Sequence, residues 1–176
     1  KCIDKKYYDV RVILPKYVCM SQEMKDRLNY KTHFYMDFHW QNQYVGILEA
    51  EYDGVTYYFI DNEYYFNGFK PYSDNTLFEI EKFAFFSKAA LSILPVIDFR
   101  PDLIHCHDWQ TGLVPVYLHE RFQGSDFYRG IKTAMTIHNL KFQGKWSIKE
   151  VQDITGLPMS FFTPDKLEAH KDANLL

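Results

Sequence analysis

The sequence predicts an α/β fold in which parallel strands are joined by a crossover helix. Three observations carry this. Asp102 to Asp108 reads as a short strand, Trp109 to Phe122 as a helix and Lys132 to Asn139 as a second strand, so the two strands run parallel with a right-handed crossover between them. Gly46, Leu48, Ala50 and Tyr52 alternate with Ile47, Glu49 and Glu51, and Asp53-Gly54 follows, which marks a half-buried strand entering a tight hairpin. Thr76 to about Leu94 places Phe83, Phe86, Ala90 and Ile93 at helical spacing. At 176 residues the chain suits one domain, 1–176, or one lobe of something larger.

In order, Asp9-Val10-Arg11-Val12-Ile13-Leu14-Pro15 reads as a strand stopped by proline. Lys16 to Asn29 is polar, irregular or briefly helical, and Tyr30 to Trp40 is aromatic and loosely alternating. Val55 to Ile60 is continuous and largely apolar, as in a strand covered on both faces. Asn62 to Asn75 reads as a loop, within which Tyr64-Tyr65-Phe66 suits core and Tyr72 suits an exposed stacking platform. Thr76 and Glu79 have the spacing of a capping box, and Pro95 and Pro101 bracket a connector. Pro115 lies near the first turns of its helix, where a missing N–H costs little. Gly124-Ser125 marks a turn, Ser147 to Thr155 is a short helix stopped by Gly156 and Pro158, and the tail is polar.

Composition narrows the function. The net charge of −3 leaves no basic footprint for nucleic acid and no polybasic membrane patch. No apolar run reaches the ~18 residues of a membrane span, and the N-terminus has no apolar signal core. The apolar share of 47% excludes disorder of the whole chain. Cys2, Cys19 and Cys106 are an odd count at wide spacing, which argues against a disulfide framework, so a cytoplasmic setting is the expectation. At 18%, aromatic residues are dense enough to serve a sugar- or base-stacking cleft as well as a core.

Ligands of open α/β sheets bind at the carboxyl ends of the strands. His107-Asp108 closes one strand and His138-Asn139 the next, so a carboxylate, two imidazoles and an amide can converge there to orient hydroxyls and stabilise developing charge. Each also has a plainer role open to it. Asp108 precedes Trp109 and can be a helix N-cap, and His138 can be a satisfied strand-end histidine. His105 points the same way as His107 and is read as a satisfied histidine. No Cys-x-x-Cys or His-Glu-x-x-His motif supports a metal site, and no Gly-x-Gly-x-x-Gly or P-loop motif supports a phosphate site.

The stretches Asp9 to Tyr17, Gly54 to Asn62, Lys82-Phe83-Ala84-Phe85-Phe86-Ser87, Pro101 to Leu113 (with His107-Asp108-Trp109 inside it), Thr136-Ile137-His138-Asn139-Leu140 and Gln143-Gly144 together resemble the N-terminal catalytic domain of bacterial glycogen and starch synthases, with Lys82 where that family more often has arginine. The resemblance covers nearly the whole chain in the right order. It implies a Rossmann-like doubly wound lobe of a two-lobed (GT-B) retaining glycosyltransferase, with the Asp53-Gly54 hairpin as an insertion. It also implies transfer of glucose from ADP-glucose to the nonreducing end of an α-1,4-glucan, without metal or cofactor. By the same resemblance Asp108 and His138 are the catalytic residues and Tyr72 contacts donor or acceptor, while the strand-end reading adds His107 and Asn139 as substrate-binding residues. The family opens with a strand, a Lys-x-Gly-Gly-Leu phosphate loop and a helix that this chain is expected to lack, along with the second lobe. The expectation is then a gapped or rearranged sheet, exposed sheet edges open to self-association, and no transfer by these residues alone. Two other functions fit the residues less well: a noncatalytic glucan-binding module using the aromatic surface, and a small hydrolase using the His/Asp cluster.

Overall fold

The computed structural model describes residues 3–176, so Cys2 lies outside the described residues. The fold divides into two compact units, one made of the residues up to Met36 with Asn42–Tyr72, the other of Asp37–Gln41 with Ser73–Leu176.

The first unit is built on a four-stranded sheet of order β1-β4-β3-β2, with β1 at Arg11–Pro15, β2 at Asn29–Phe38, β3 at Gln41–Tyr52 and β4 at Val55–Asp61. β1 pairs with β4 in parallel, Arg11 opposite Thr56, and β3 pairs with β4 antiparallel, Gly46 opposite Asp61. The internal position of β4 explains its apolar run: Tyr58, Phe59 and Ile60 are all buried. β3 is longer than its alternating core suggests and takes in the polar Gln41 to Tyr44. The loop expected at 62–75 contains a single helical turn, α2 (Glu63–Phe66). Buried Asn62 caps it by accepting from Tyr65 N at 3.2 Å, and Tyr65 and Phe66 enter the core while Tyr64 stays exposed. The polar stretch after β1 holds one short helix, α1 (Gln22–Lys25), capped by Ser21.

The second unit centres on α3 (Thr76–Val96), which is buried nearly all round. Its start differs by one residue from the sequence reading. Asn75, not Thr76, is the N-cap, its side chain accepting from Phe78 N at 3.1 Å. Glu79 does not complete a box with Thr76; it accepts from Ser73 N at 2.9 Å and from Lys82 Nζ at 2.6 Å. Its end also differs, because Pro95 lies inside the helix rather than at the head of a connector. Proline cannot donate to the carbonyl four residues back, and here the freed Leu91 carbonyl accepts from the buried Tyr128 Oη at 2.9 Å.

β5 (Leu103–His107) and β6 (Lys132–Thr136) pair in parallel, as the strand–helix–strand pattern requires. The crossover expected as one helix over 109–122 is three pieces: a 3-10 turn at Trp109–Thr111, α4 (Leu113–Tyr117) and a π-helical turn at Leu118–Phe122. Pro115 sits in the first turn of α4, which is where it is tolerated. Phe83 of α3 meets Trp109 edge-on, with centroids 5.3 Å apart. The tail is more ordered than its polarity suggests. α5 (Ile148–Thr155) ends at left-handed Gly156, and β7 (Lys145–Ser147), β8 (Glu168–Ala169) and β9 (Asp172–Asn174) form a small antiparallel sheet. No ladder joins the β1/β4 pair to the β5/β6 pair among the described residues. No helix among them is long and apolar enough to cross a membrane.

Candidate functional site

The ends of β5 and β6 are held together by Asp108. Its backbone N–H donates to Thr136 O at 2.9 Å, extending the parallel ladder by one bond. Its carboxylate Oδ1 then accepts from His138 N at 2.6 Å and from Asn139 N at 3.3 Å. Asp108 is not a helix cap: it makes no side-chain bond to the following turn. Its backbone sits at φ 55°, a region that costs a non-glycine residue ~1–3 kcal/mol and persists only where surroundings enforce it. Thr111 supplies part of that enforcement. Its Oγ1 accepts from His107 N at 2.6 Å and can donate to His107 O at 2.8 Å. Asp108 Oδ2 has no hydrogen-bond partner among the described residues.

Three imidazoles line up beside this turn. His105 and His107 alternate with Cys106 along β5, so both rings project from one face while Cys106 is buried on the other. Their centroids are 4.3 Å apart. His107 Nδ1 lies 3.0 Å from His138 Nε2, and those two rings stack at 21°. One nitrogen of that pair must carry the proton and the other accept it. His105 Nε2 lies 2.7 Å from Thr136 Oγ1, so it has the polar partner expected of it. His107 is held below the ordinary histidine range, first by partial burial and then by His105 and His138, against the opposing pull of Asp108. Burial pushes the Cys106 thiol up to about 11.

Asp108, His107, His138 and Asn139 are therefore brought together, as the two strand ends predicted. What faces outward is one carboxylate oxygen and the second nitrogen of His138. Asn139 is partly committed, since its Oδ1 accepts from Lys141 N at 2.9 Å. Tyr72 belongs to the first unit, where it is exposed. Among the described residues no group of three or more His, Cys, Asp or Glu side chains is placed to hold a metal ion.

Sequence reasoning passed over two supports. Thr111 ties the backbone of His107 and Asp108, and its signal was its position within one turn of the strand end. Gly144 has φ 59°, and a Cβ there would come within 2.4 Å of the Trp109 ring. Trp109 can pack directly after Asp108 only because residue 144 has no side chain.

Comparison with known proteins places this geometry. Residues 1–176 match the family described as starch synthase catalytic domain. A glycogen synthase of Lachnospira eligens is 64% identical over the whole chain, and one of Lachnoclostridium phytofermentans is 62% identical. The chain spans 37% of the length of each. Among solved structures, the catalytic domain of starch synthase IV from Arabidopsis thaliana, bound to ADP and acarbose, superimposes with a TM-score of 0.81 at 27% identity. That match covers 97% of this chain and 35% of the other.

Proposed function

The chain belongs to the starch synthase catalytic domain family, and on that premise we propose that it forms part of a hexosyltransferase moving glucose from ADP-glucose to the nonreducing end of an α-1,4-glucan with retention. The observation that carries the reading is the Asp108 bridge. One carboxylate oxygen is fixed by the amides of His138 and Asn139, and the other is left for a ligand hydroxyl.

In the transfer, the bond from glucose C1 to the diphosphate oxygen breaks and a bond from C1 to the acceptor O4 forms on the same face. The acceptor's hydroxyl proton leaves with the diphosphate. Positive charge grows on the sugar ring as the first bond lengthens. The Asp108 carboxylate, held before the reaction begins, stabilises that charge without reorganisation. His138, steadied through Nε2 by His107, offers its other nitrogen to a sugar hydroxyl. Tyr72, exposed on its own unit, offers a ring face of the kind that stacks on a sugar. The few cysteines, with Cys106 a buried free thiol, support work in the cytoplasm. β1 and β5 are edge strands, which supports self-association through strand pairing.

Transfer of labelled glucose from ADP-glucose to glycogen by the complete protein tests the proposal. Asp108→Ala and His138→Ala should each lower kcat by roughly 100- to 1,000-fold while the fold survives. Wild-type turnover in both variants would return these residues to a structural role.

A further inference from the structure

The loop between β6 and β7 begins with His138-Asn139 and ends with Gln143-Gly144. Its near end is fixed by Asp108, whose carboxylate takes the amides of His138 and Asn139. Its far end is fixed by other means. Gly144 packs on the Trp109 ring, and a Cβ there would collide with it. Gln143 O accepts from Leu175 N at 3.1 Å, just beyond β9. The half-buried Gln143 side chain makes two further bonds. Its Nε2 donates to Leu140 O at 2.8 Å, and its Oε1 accepts from Asn174 Nδ2 at 2.9 Å.

These two amides can face only one way. A carbonyl cannot donate, so Leu140 O requires Gln143 Nε2. A backbone N–H cannot accept, and Leu176 N donates to Asn174 Oδ1 at 3.1 Å, so Asn174 turns Nδ2 toward Gln143. Gln143 Oε1 is the acceptor that remains for it. The anchor beneath is firm. Leu175 is buried, and its carbonyl lies so close to Gly112 that a Cβ on residue 112 would run into it. Trp109 and Gly112 follow Asp108 directly along the chain. One short segment, 108–112, therefore grips the loop at its start through a carboxylate and at its end through Gly144 and the β9 tail. Gln143 ties the two ends, because its side chain reaches back to Leu140, two residues past His138. A loop held only at its start would let the His138 ring swing away from His107 Nδ1, and small misplacements of a reacting group cost rate steeply. We propose that Gln143 is a positioning residue for the transfer, acting through His138 rather than on substrate. This rests on the transferase reading above.

Labelled-glucose transfer and amide hydrogen exchange, both on the complete protein, test this. Gln143→Ala should lower kcat by about tenfold, the rate equivalent of one or two net hydrogen bonds, and leave KM for glycogen nearly unchanged. In a His138→Ala background the same substitution should cost nothing further, because the group it positions is gone. Exchange at the amides of His138 and Asn139, read by mass spectrometry of fragments, should quicken by about tenfold in Gln143→Ala. If that variant does not fold, Asn174→Ala removes the same bond from the other side and carries the test. An equal loss of kcat with and without His138 would make Gln143 a plain structural residue and overturn the proposal. Unchanged kcat or unchanged exchange would overturn it too. Absence of transfer by the wild type, with exchange still quickened in the variant, would overturn the transferase reading and leave the loop tie standing.

Discussion

Glu79 and Asp108 are both carboxylates that accept backbone amides in the second unit. Glu79 is buried in the first turn of α3, where Oε1 takes Ser73 N and the ammonium of Lys82, itself buried, at 2.6 Å. Its Oε2 is buried with no hydrogen-bond partner among the described residues. Among the described residues Asp108 has no ion-pair partner, it has one open oxygen, and it stands on a backbone held at φ 55°. A charge sealed with its counter-ion contributes chiefly to which structure forms. A charge held in place by amides at a strained turn and left half open is arranged to meet something else. Removing each group should therefore give opposite phenotypes.

The largest effect belongs to the sealed pair. Breaking a buried ion pair strands one charge and costs ~3–5 kcal/mol. Glu79→Ala and Lys82→Ala should each lower Tm by roughly 10 °C or more, read by thermal or urea unfolding. Glu79→Met with Lys82→Leu should recover much of that loss, because neither charge is then left alone. A double variant as unstable as the singles would mean that the pair holds α3 in a way hydrophobic packing cannot replace.

Asp108 should behave in reverse. Asp108→Gly removes the carboxylate and also relieves the left-handed strain, so Tm should barely move while kcat of the complete enzyme falls by roughly 100- to 1,000-fold. A collapse of Tm comparable to that of Glu79→Ala would erase the contrast and make Asp108 a structural clasp. Asp108→Asn keeps an oxygen for the two amides and should be the milder variant.

The same contrast marks what sequence could reach. The strand ends were legible because parallel strands joined by a crossover must finish side by side, which brought His107-Asp108 and His138-Asn139 together. The α3 pattern was legible from Phe83, Phe86, Ala90 and Ile93, but its ends were not. Asn75 outcompeted Thr76 as cap, and Pro95 stayed helical because Tyr128, 33 residues on, satisfies the Leu91 carbonyl. No local pattern carries such a distant partner. β8 and β9 are two and three residues long, too short for alternation to register. The pairing of Glu79 with Lys82 was hidden because Glu79 also stands three residues after Thr76, where it fits the last position of a capping box.

Cys106 and His107 restate the contrast on adjacent residues of β5. Cys106 is buried, its thiol pushed up to about 11, whereas Cys19 is exposed. At pH 8 an alkylating reagent should modify exposed Cys19 much faster than Cys106, which is buried and whose thiol is pushed up, since the thiolate is the reactive species. Site-resolved mass spectrometry reads this, and addition of denaturant should bring Cys106 up to the rate of Cys19. Equal rates in the native protein would mean that β5 opens readily.

The smallest effect belongs to His107, on the open face. Burial and its two histidine neighbours hold it below the ordinary histidine value of about 6.5 in the folded protein, while in the unfolded chain it titrates near that value. Below pH about 6.5 the unfolded state therefore binds the proton more readily. Stability contributed by neutral His107 is complete above that pH, is lost as pH falls toward the folded value, and then levels off. Exposure screens the interactions, so the drop in Tm between pH 7.5 and 5.5 should be modest. His107→Asn should flatten it and should also blunt the acid limb of the kcat profile, because His138 Nε2 loses the ring nitrogen 3.0 Å away. A pure packing role for His107 predicts something different: a lower Tm at every pH with the profile unmoved. That pattern would separate His138 from its neighbour and leave Asp108 as the group that sets the strand-end geometry.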